Sequence, residues 1–203
     1  MTKVKICGLM EPRHVQAAVE AGADAVGFVF APSRRRVAIA QAKELARLVP
    51  DHVMKIGVFV NAEREELKRA FREVPLDYIQ YHGGESLKFI EKVGLPSIKV
   101  VSVHGSEDVK EVHRFRTEFV LFDTPGIEFS GGSGKVFDWD LLNQDLPRER
   151  IILAGGLNAQ NVKEAIRQVR PFMVDVSSGV EIEYRKDETL IREFIRAVKE
   201  EES

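Results

Sequence analysis

Eight short apolar runs recur along the chain, separated by longer amphipathic segments. The runs are Val4–Cys7 and those opening at Ala25 (AVGFVF), Met54 (MKIGVFV), Tyr78 (YIQY), Ser97 (SIKVV), Phe119 (FVLFD), Ile151 (IILA) and Met173 (MVDV). They are short, near-continuously apolar and rich in β-branched or aromatic residues. That pattern predicts parallel strands covered on both faces.

The segments between them carry helical periodicity. Pro12 suits a first helical position, Val15, Ala18 and Val19 share a face, and Gly22 suits the position just past the end. Asn158 is the N-cap candidate for a helix that buries Val162, Ala165, Ile166 and Val169 before Pro171. The last helix opens near Asp187 and buries Leu190, Ile191, Phe194, Ile195 and Val198. Similar stripes occur at Leu67, Ala70, Phe71 and Val74, and at Val109 and Val112. The segment after the sixth strand is weakest, with only Trp139, Leu141 and Leu142 to bury. Eight strand–helix repeats with no linker predict one α/β domain over residues 1–203, a (β/α)8 TIM barrel. An open doubly wound sheet is the alternative at this length.

In both architectures the reactive groups lie at the carboxyl ends of the strands. The seventh strand runs into Gly155-Gly156 and the eighth into Ser177-Ser178, two turns whose N–H and hydroxyl donors suit a phosphate. Either alone also reads as an ordinary tight turn; the two together, after strands seven and eight, favour phosphate. Cys7 and Asp123 form a candidate base and acid. A thiolate accepts a proton where a cationic field lowers its pKa, and a carboxyl in a partly apolar pocket keeps one. The bland alternatives are a small hydrophobe at Cys7 and a loop-capping aspartate at Asp123. One arginine of Arg34–Arg36 turned inward would suit a carboxylate. His82 reads as a hydrogen-bonding residue. The longest loop, Thr124–Val136, contains Gly131–Lys135 (GGSGK), which lacks P-loop spacing and reads as a loop over the site.

Composition narrows the function classes. The 203 residues are 44% hydrophobic, enough for one substantial core. Thirty basic against 32 acidic residues give a net charge of −2, a poor basis for nucleic-acid binding. No apolar run approaches a membrane span, and the start of the chain does not read as a secretory signal, so a soluble cytoplasmic protein is expected. The single cysteine excludes an internal disulfide, and five scattered histidines give no metal-ligand spacing, so no metal is expected.

Together VKICGL, GADAVGFVF, IQYHG, FDT…GGSGKVFDW, AGGLN…NV and VDVSSGVE resemble the phosphoribosylanthranilate isomerases of tryptophan biosynthesis, in the family's order and over nearly the whole chain. The resemblance implies a small cofactor-free (β/α)8 barrel, monomeric or homodimeric, acting on a phosphosugar. It also implies an Amadori rearrangement in which Asp123 is the general acid and Cys7 the general base. Phosphate would map to Gly132, Gly155, Gly156, Ser177 and Ser178, and the anthranilate carboxylate to Arg35; Gln80, His82 and Asp175 would line the site. Tyr81 stands where the family usually has leucine, on the opposite face of its strand from the site. Two other readings are a related aldose–ketose isomerase with a two-phosphate substrate and a noncatalytic phosphosugar-binding protein. The first expects an aspartate at the end of strand one, where Cys7 stands; the second expects binding without turnover.

Overall fold

The computed structural model describes residues 1–125, 136–143 and 145–201. Eight parallel strands close into a barrel in chain order. In sequence the elements are β1 (Lys3–Cys7), α1 (Pro12–Ala21), β2 (Ala25–Val29), α2 (Ile39–Ala46), β3 (Met54–Phe59), α3 (Arg64–Glu73), β4 (Tyr78–Tyr81), α4 (Leu87–Val93), β5 (Ser97–Ser102), α5 (Ser106–Lys110) and β6 (Phe119–Asp123). They continue with β7 (Ile151–Leu153), α6 (Val162–Val169), β8 (Met173–Val176), a small antiparallel ribbon of β9 (Glu181–Ile182) and β10 (Arg185–Lys186), and α7 (Glu188–Glu201). Pairing of β1 with β8, with Lys5 opposite Asp175, closes the wall.

Local chemistry sets the helix ends. Pro12 opens α1, and Gly22 ends it at φ +89°, a left-handed conformation that costs glycine little. Asp187 caps α7 by accepting from the Leu190 N–H at 3.0 Å. Asn158 does not cap α6. Its Oδ1 accepts from the N–H groups of Gln160 and Asn161, which folds a separate turn and moves the helix start to Val162. Between β6 and β7 the described residues form only 3-10 turns, Trp139–Leu142 and Arg148–Arg150, in place of the eighth α-helix of a regular repeat. Three apolar positions followed closely by Asn143 and Pro147 give too short a stripe to hold a full helix against the wall.

Strand alternation sorts the core into two shells. Outward-facing Val4, Ile6, Val26 and Phe28 pack beneath helix residues such as Val15, Ala18 and Phe194. Inward-facing Ile56, Ile98, Leu121, Ile152 and Met173 fill the lower barrel. Higher up, the interior becomes polar: Lys5, Gln80 and Asp175 are all buried there. Tyr81 faces outward, edge-on to Phe89 of α4, with its hydroxyl buried and unpaired among the described residues.

Candidate active site

Inward parity on β1 puts Lys5 and Cys7 on the same wall, with Cys7 one layer nearer the mouth. Gly27 on β2 makes room for both. A Cβ there would lie 2.8 Å from Cys7 Sγ and 3.2 Å from Lys5 Cε, so the bare backbone lets the two side chains lean against it. Cys7 packs with Val29, Ala31 and Val58, a small apolar cluster on the β1–β3 side of the barrel.

Lys5 is fully buried. Its Nζ donates to Asp175 Oδ2 at 2.8 Å and Gln80 Oε1 at 3.0 Å. Burial opposes the ammonium, but the Asp175 carboxylate, and then Cys7, outweigh it and hold its pKa above the ordinary value. Sequence reasoning did not single out Lys5, although a lysine at the inward parity of an apolar strand was the signal. Asp175 Oδ1 is buried without a hydrogen-bond partner among the described residues, which leaves an acceptor inside the barrel.

Burial pushes the Cys7 thiol above its ordinary pKa. Lys5 and Lys186 pull it back, Asp175 adds to the rise, and burial prevails. The cationic field expected around the thiol is therefore present, but it is weaker than the effect of burial.

Asp123 ends β6, three strands round the barrel from Cys7. Burial first, and the Asp175 charge second, raise its pKa to about 6. His82, beyond the end of β4, lies with Nε2 3.6 Å from Asp123 Oδ2 and Nδ1 3.4 Å from Gln80 Nε2. Burial, helped by the Lys5 charge, lowers the His82 pKa to about 4, so at neutral pH the ring is uncharged.

Of the three arginines, Arg35 turns inward. A Cβ on Gly8 would fall 2.6 Å from Arg35 Cδ, so the side chain crosses the loop that follows Cys7. Arg34 instead stacks over the Tyr184 ring at 4.3 Å, and Arg36 is exposed. Arg35 Nε and Nη2 donate to the two carboxylate oxygens of Glu181, both at 2.7 Å. Lys186 donates to the same carboxylate and to the Ser177 carbonyl at 2.9 Å. Burial works against the Glu181 charge, but the two cations overcome it and hold its pKa low. Glu181 and Lys186 are further site-lining residues that sequence reasoning missed.

Gly155 and Gly156 adopt φ +88° and +68° after β7. A Cβ on Gly155 would meet Thr124 Oγ1 at 2.3 Å and Asp123 Oδ1 at 3.0 Å, so this turn rests on the end of β6. Ser177 and Ser178 follow β8. A Cβ on Gly179 would lie 1.9 Å from the Leu157 carbonyl oxygen, so the β7 and β8 loops meet there backbone to side. The α6 N-terminus stands further off than the sequence suggested, because the Asn158 turn intervenes. Gly132 and the Gly131–Lys135 stretch lie outside the described residues.

The rim of one barrel thus carries a thiol, a carboxyl of raised pKa, a neutral imidazole, a clamped guanidinium and paired loops rich in backbone donors. That set suits proton transfer on a small anionic substrate. A profile of the family described as N-(5′-phosphoribosyl)anthranilate (PRA) isomerase matches residues 4–197. The N-(5′-phosphoribosyl)anthranilate isomerase of Bacillus cereus strain G9842 is 47% identical over 201 residues, 98% of each chain. The crystal structure of phosphoribosyl anthranilate isomerase from Thermotoga maritima superimposes with a TM-score of 0.89 at 42% identity, covering 98% of this chain and all of that one. A phosphoribosyl anthranilate isomerase in complex with reduced 1-(o-carboxyphenylamino)-1-deoxyribulose 5-phosphate matches at TM-score 0.86 and 38% identity, over 98% of this chain and 100% of the other. With a matching profile along nearly its whole length and close relatives of equal extent, the chain belongs to the N-(5′-phosphoribosyl)anthranilate isomerase family.

Proposed function

We propose that this protein catalyses the Amadori rearrangement of N-(5-phosphoribosyl)anthranilate to 1-(2-carboxyphenylamino)-1-deoxyribulose 5-phosphate, a step of tryptophan biosynthesis. The observation that carries the reading is the placement of Cys7 and Asp123 at the mouth of one barrel, with Asp123 held to a pKa of about 6. A carboxyl that keeps its proton more readily than an exposed one is suited to deliver it to the furanose ring oxygen.

Asp123 protonates that oxygen as the C1–O bond breaks, giving an open-chain iminium. The positive nitrogen acidifies the C2 proton, which Cys7 accepts as a thiolate. The resulting enolamine becomes the aminoketone when C1 gains a proton and the C2 hydroxyl loses one. Solvent exchange then returns Asp123 to its acid form and Cys7 to its base form. The substrate's own nitrogen is the electron sink, so the scheme requires neither metal nor cofactor.

The remaining residues hold the substrate. Backbone N–H groups at Gly155 and Gly156, with Ser177, Ser178 and Gly132, receive the phosphate. Arg35, its plane fixed by Glu181, receives the anthranilate carboxylate. Gln80, His82 and Asp175 face the sugar. The substrate is a small soluble phosphosugar, and the reaction fits the cytoplasm without a membrane or nucleic-acid partner. Among the described residues no helix is long and apolar enough to cross a membrane.

The decisive experiment follows the fluorescence of phosphoribosylanthranilate with the purified protein and with Cys7→Ala and Asp123→Asn. The parent protein should consume the substrate, and each variant should lose roughly 10²–10⁴-fold in turnover while still binding a reduced product analogue. Absence of turnover in the parent would overturn the reaction. Undiminished turnover in one variant would remove that residue from its role.

A further inference from the structure

We infer that Lys5 is a positioning residue for this reaction: its buried ammonium, fixed by Asp175 and Gln80, is the counter-charge that holds Cys7 as a thiolate when the base is needed. The inference rests on the assignment of Cys7 as the base and extends it to the group that makes a buried thiol usable.

The geometry supports it in three ways. Lys5 and Cys7 share the inward face of β1, one alternation apart, and both lean on Gly27. An ammonium has three donors; Asp175 and Gln80 take two, and the charge so held beside Cys7 attracts the thiolate. Stability alone gives little reason for the charge, since a buried ion pair is commonly no better than apolar side chains of the same volume. The other charged groups facing Cys7 among the described residues are Asp175 from β8, Lys186 from β10 and Arg35 from the loop after β2. Lys186 and Arg35 are both tied to Glu181. Asp175 repels a thiolate, but by less than Lys5 attracts it. Lys5 is therefore the main attractive charge on the sulfur.

Lys5→Met keeps the length and apolar stem of the side chain and removes the charge. The test measures alkylation of Cys7 by iodoacetamide as a function of pH, alongside kcat and KM. Lys5→Met should alkylate at least tenfold more slowly than the parent at pH 8, with its midpoint moved up by a unit or more, because only the thiolate reacts. Its kcat should fall at least tenfold while KM changes less than threefold. A merely structural role predicts the opposite, since a loosened barrel exposes the thiol and speeds alkylation.

Lys5→Met leaves Asp175 buried alone, so Lys5→Met/Asp175→Asn, which buries no lone charge, decides the matter if the single variant unfolds. It should still alkylate more slowly than the parent. An alkylation profile that is unchanged or faster in the folded variant overturns the role of Lys5. Turnover that survives Cys7→Ala overturns the base assignment instead, and leaves the alkylation result readable by itself.

Discussion

The acid–base pair predicts a pH profile of unusual assignment. Under the proposed assignment turnover requires Asp123 protonated and Cys7 ionised, yet the Asp123 pKa lies at about 6 and burial pushes that of Cys7 above the ordinary thiol value. Between those values the dominant form has each proton in the wrong place. Only a small fraction of molecules then holds Asp123 protonated and Cys7 ionised at once. From about pH 6 up to the Cys7 pKa, each unit of pH costs tenfold in acid and returns tenfold in base, so kcat/KM should be flat. Below 6 Asp123 is already protonated and the falling thiolate lowers the rate. Above the Cys7 pKa the thiolate is complete and the vanishing acid lowers it. The limb near pH 6 therefore reports Asp123, although a conventional reading would give it to the base. Fluorescence-monitored kcat/KM from pH 5 to 10, set beside the pH dependence of iodoacetamide alkylation, separates the two assignments. Activity should break near 6, and alkylation should show no inflection there and rise only at higher pH. An alkylation midpoint near 6, or activity without a plateau across neutral pH, would refute the reasoning.

Three further outcomes are expected. Arg35→Ala should raise KM about tenfold to a hundredfold with a smaller change in kcat, since a charge-assisted contact made throughout the reaction is worth roughly 1.5–3 kcal/mol; steady-state kinetics would show the error if Arg34→Ala or Arg36→Ala behaved so instead. Gly155→Ala puts a side chain at φ +88° and against Thr124 and the Asp123 carboxylate, so both KM and kcat should suffer and stability should drop by about 1–2 kcal/mol from the backbone alone. Tyr81→Phe removes a buried hydroxyl with no partner among the described residues and should raise stability by about 1 kcal/mol, or roughly 2–4 °C in Tm; a lower Tm would mean that the hydroxyl is satisfied.

The barrel was legible because strands covered on both faces must be apolar throughout, and β1 to β8 all lie within the eight apolar runs or extend them by a residue. The connection after β6 was legible as weak, though not as 3-10 turns, because a short stripe does not say what replaces a helix. Cys7, Asp123 and the two glycine- and serine-bearing turns could be named because strand ends point to the mouth. The charges that tune them were harder to see. Asp175 is 170 positions from Lys5 and Glu181 is 146 from Arg35, so nothing local couples them. Parity on β1 pointed to Lys5, but a lysine near a strand end more often reads as solvated. Three consecutive arginines share no period, and only the stacking of Arg34 on Tyr184 separates their roles.

The pairing of Lys5 with Asp175 across the β1–β8 seam bears on the order in which this chain acquires its chemistry. In a chain made from N- to C-terminus, Cys7 precedes Asp175 by 168 positions, and the two cannot meet until the wall is nearly complete. Until the seam zips, the chain's lone thiol has neither of the influences that later raise its pKa most, enclosure and the Asp175 charge, while Lys5 is already its neighbour on the strand. The unfinished chain is therefore the form most open to oxidants and electrophiles, and ring closure passivates the sulfur in the same event that assembles the catalytic mouth. Oxidative damage should track the lifetime of the open form, so a slow-closing variant would lose its thiol before it ever turned over substrate.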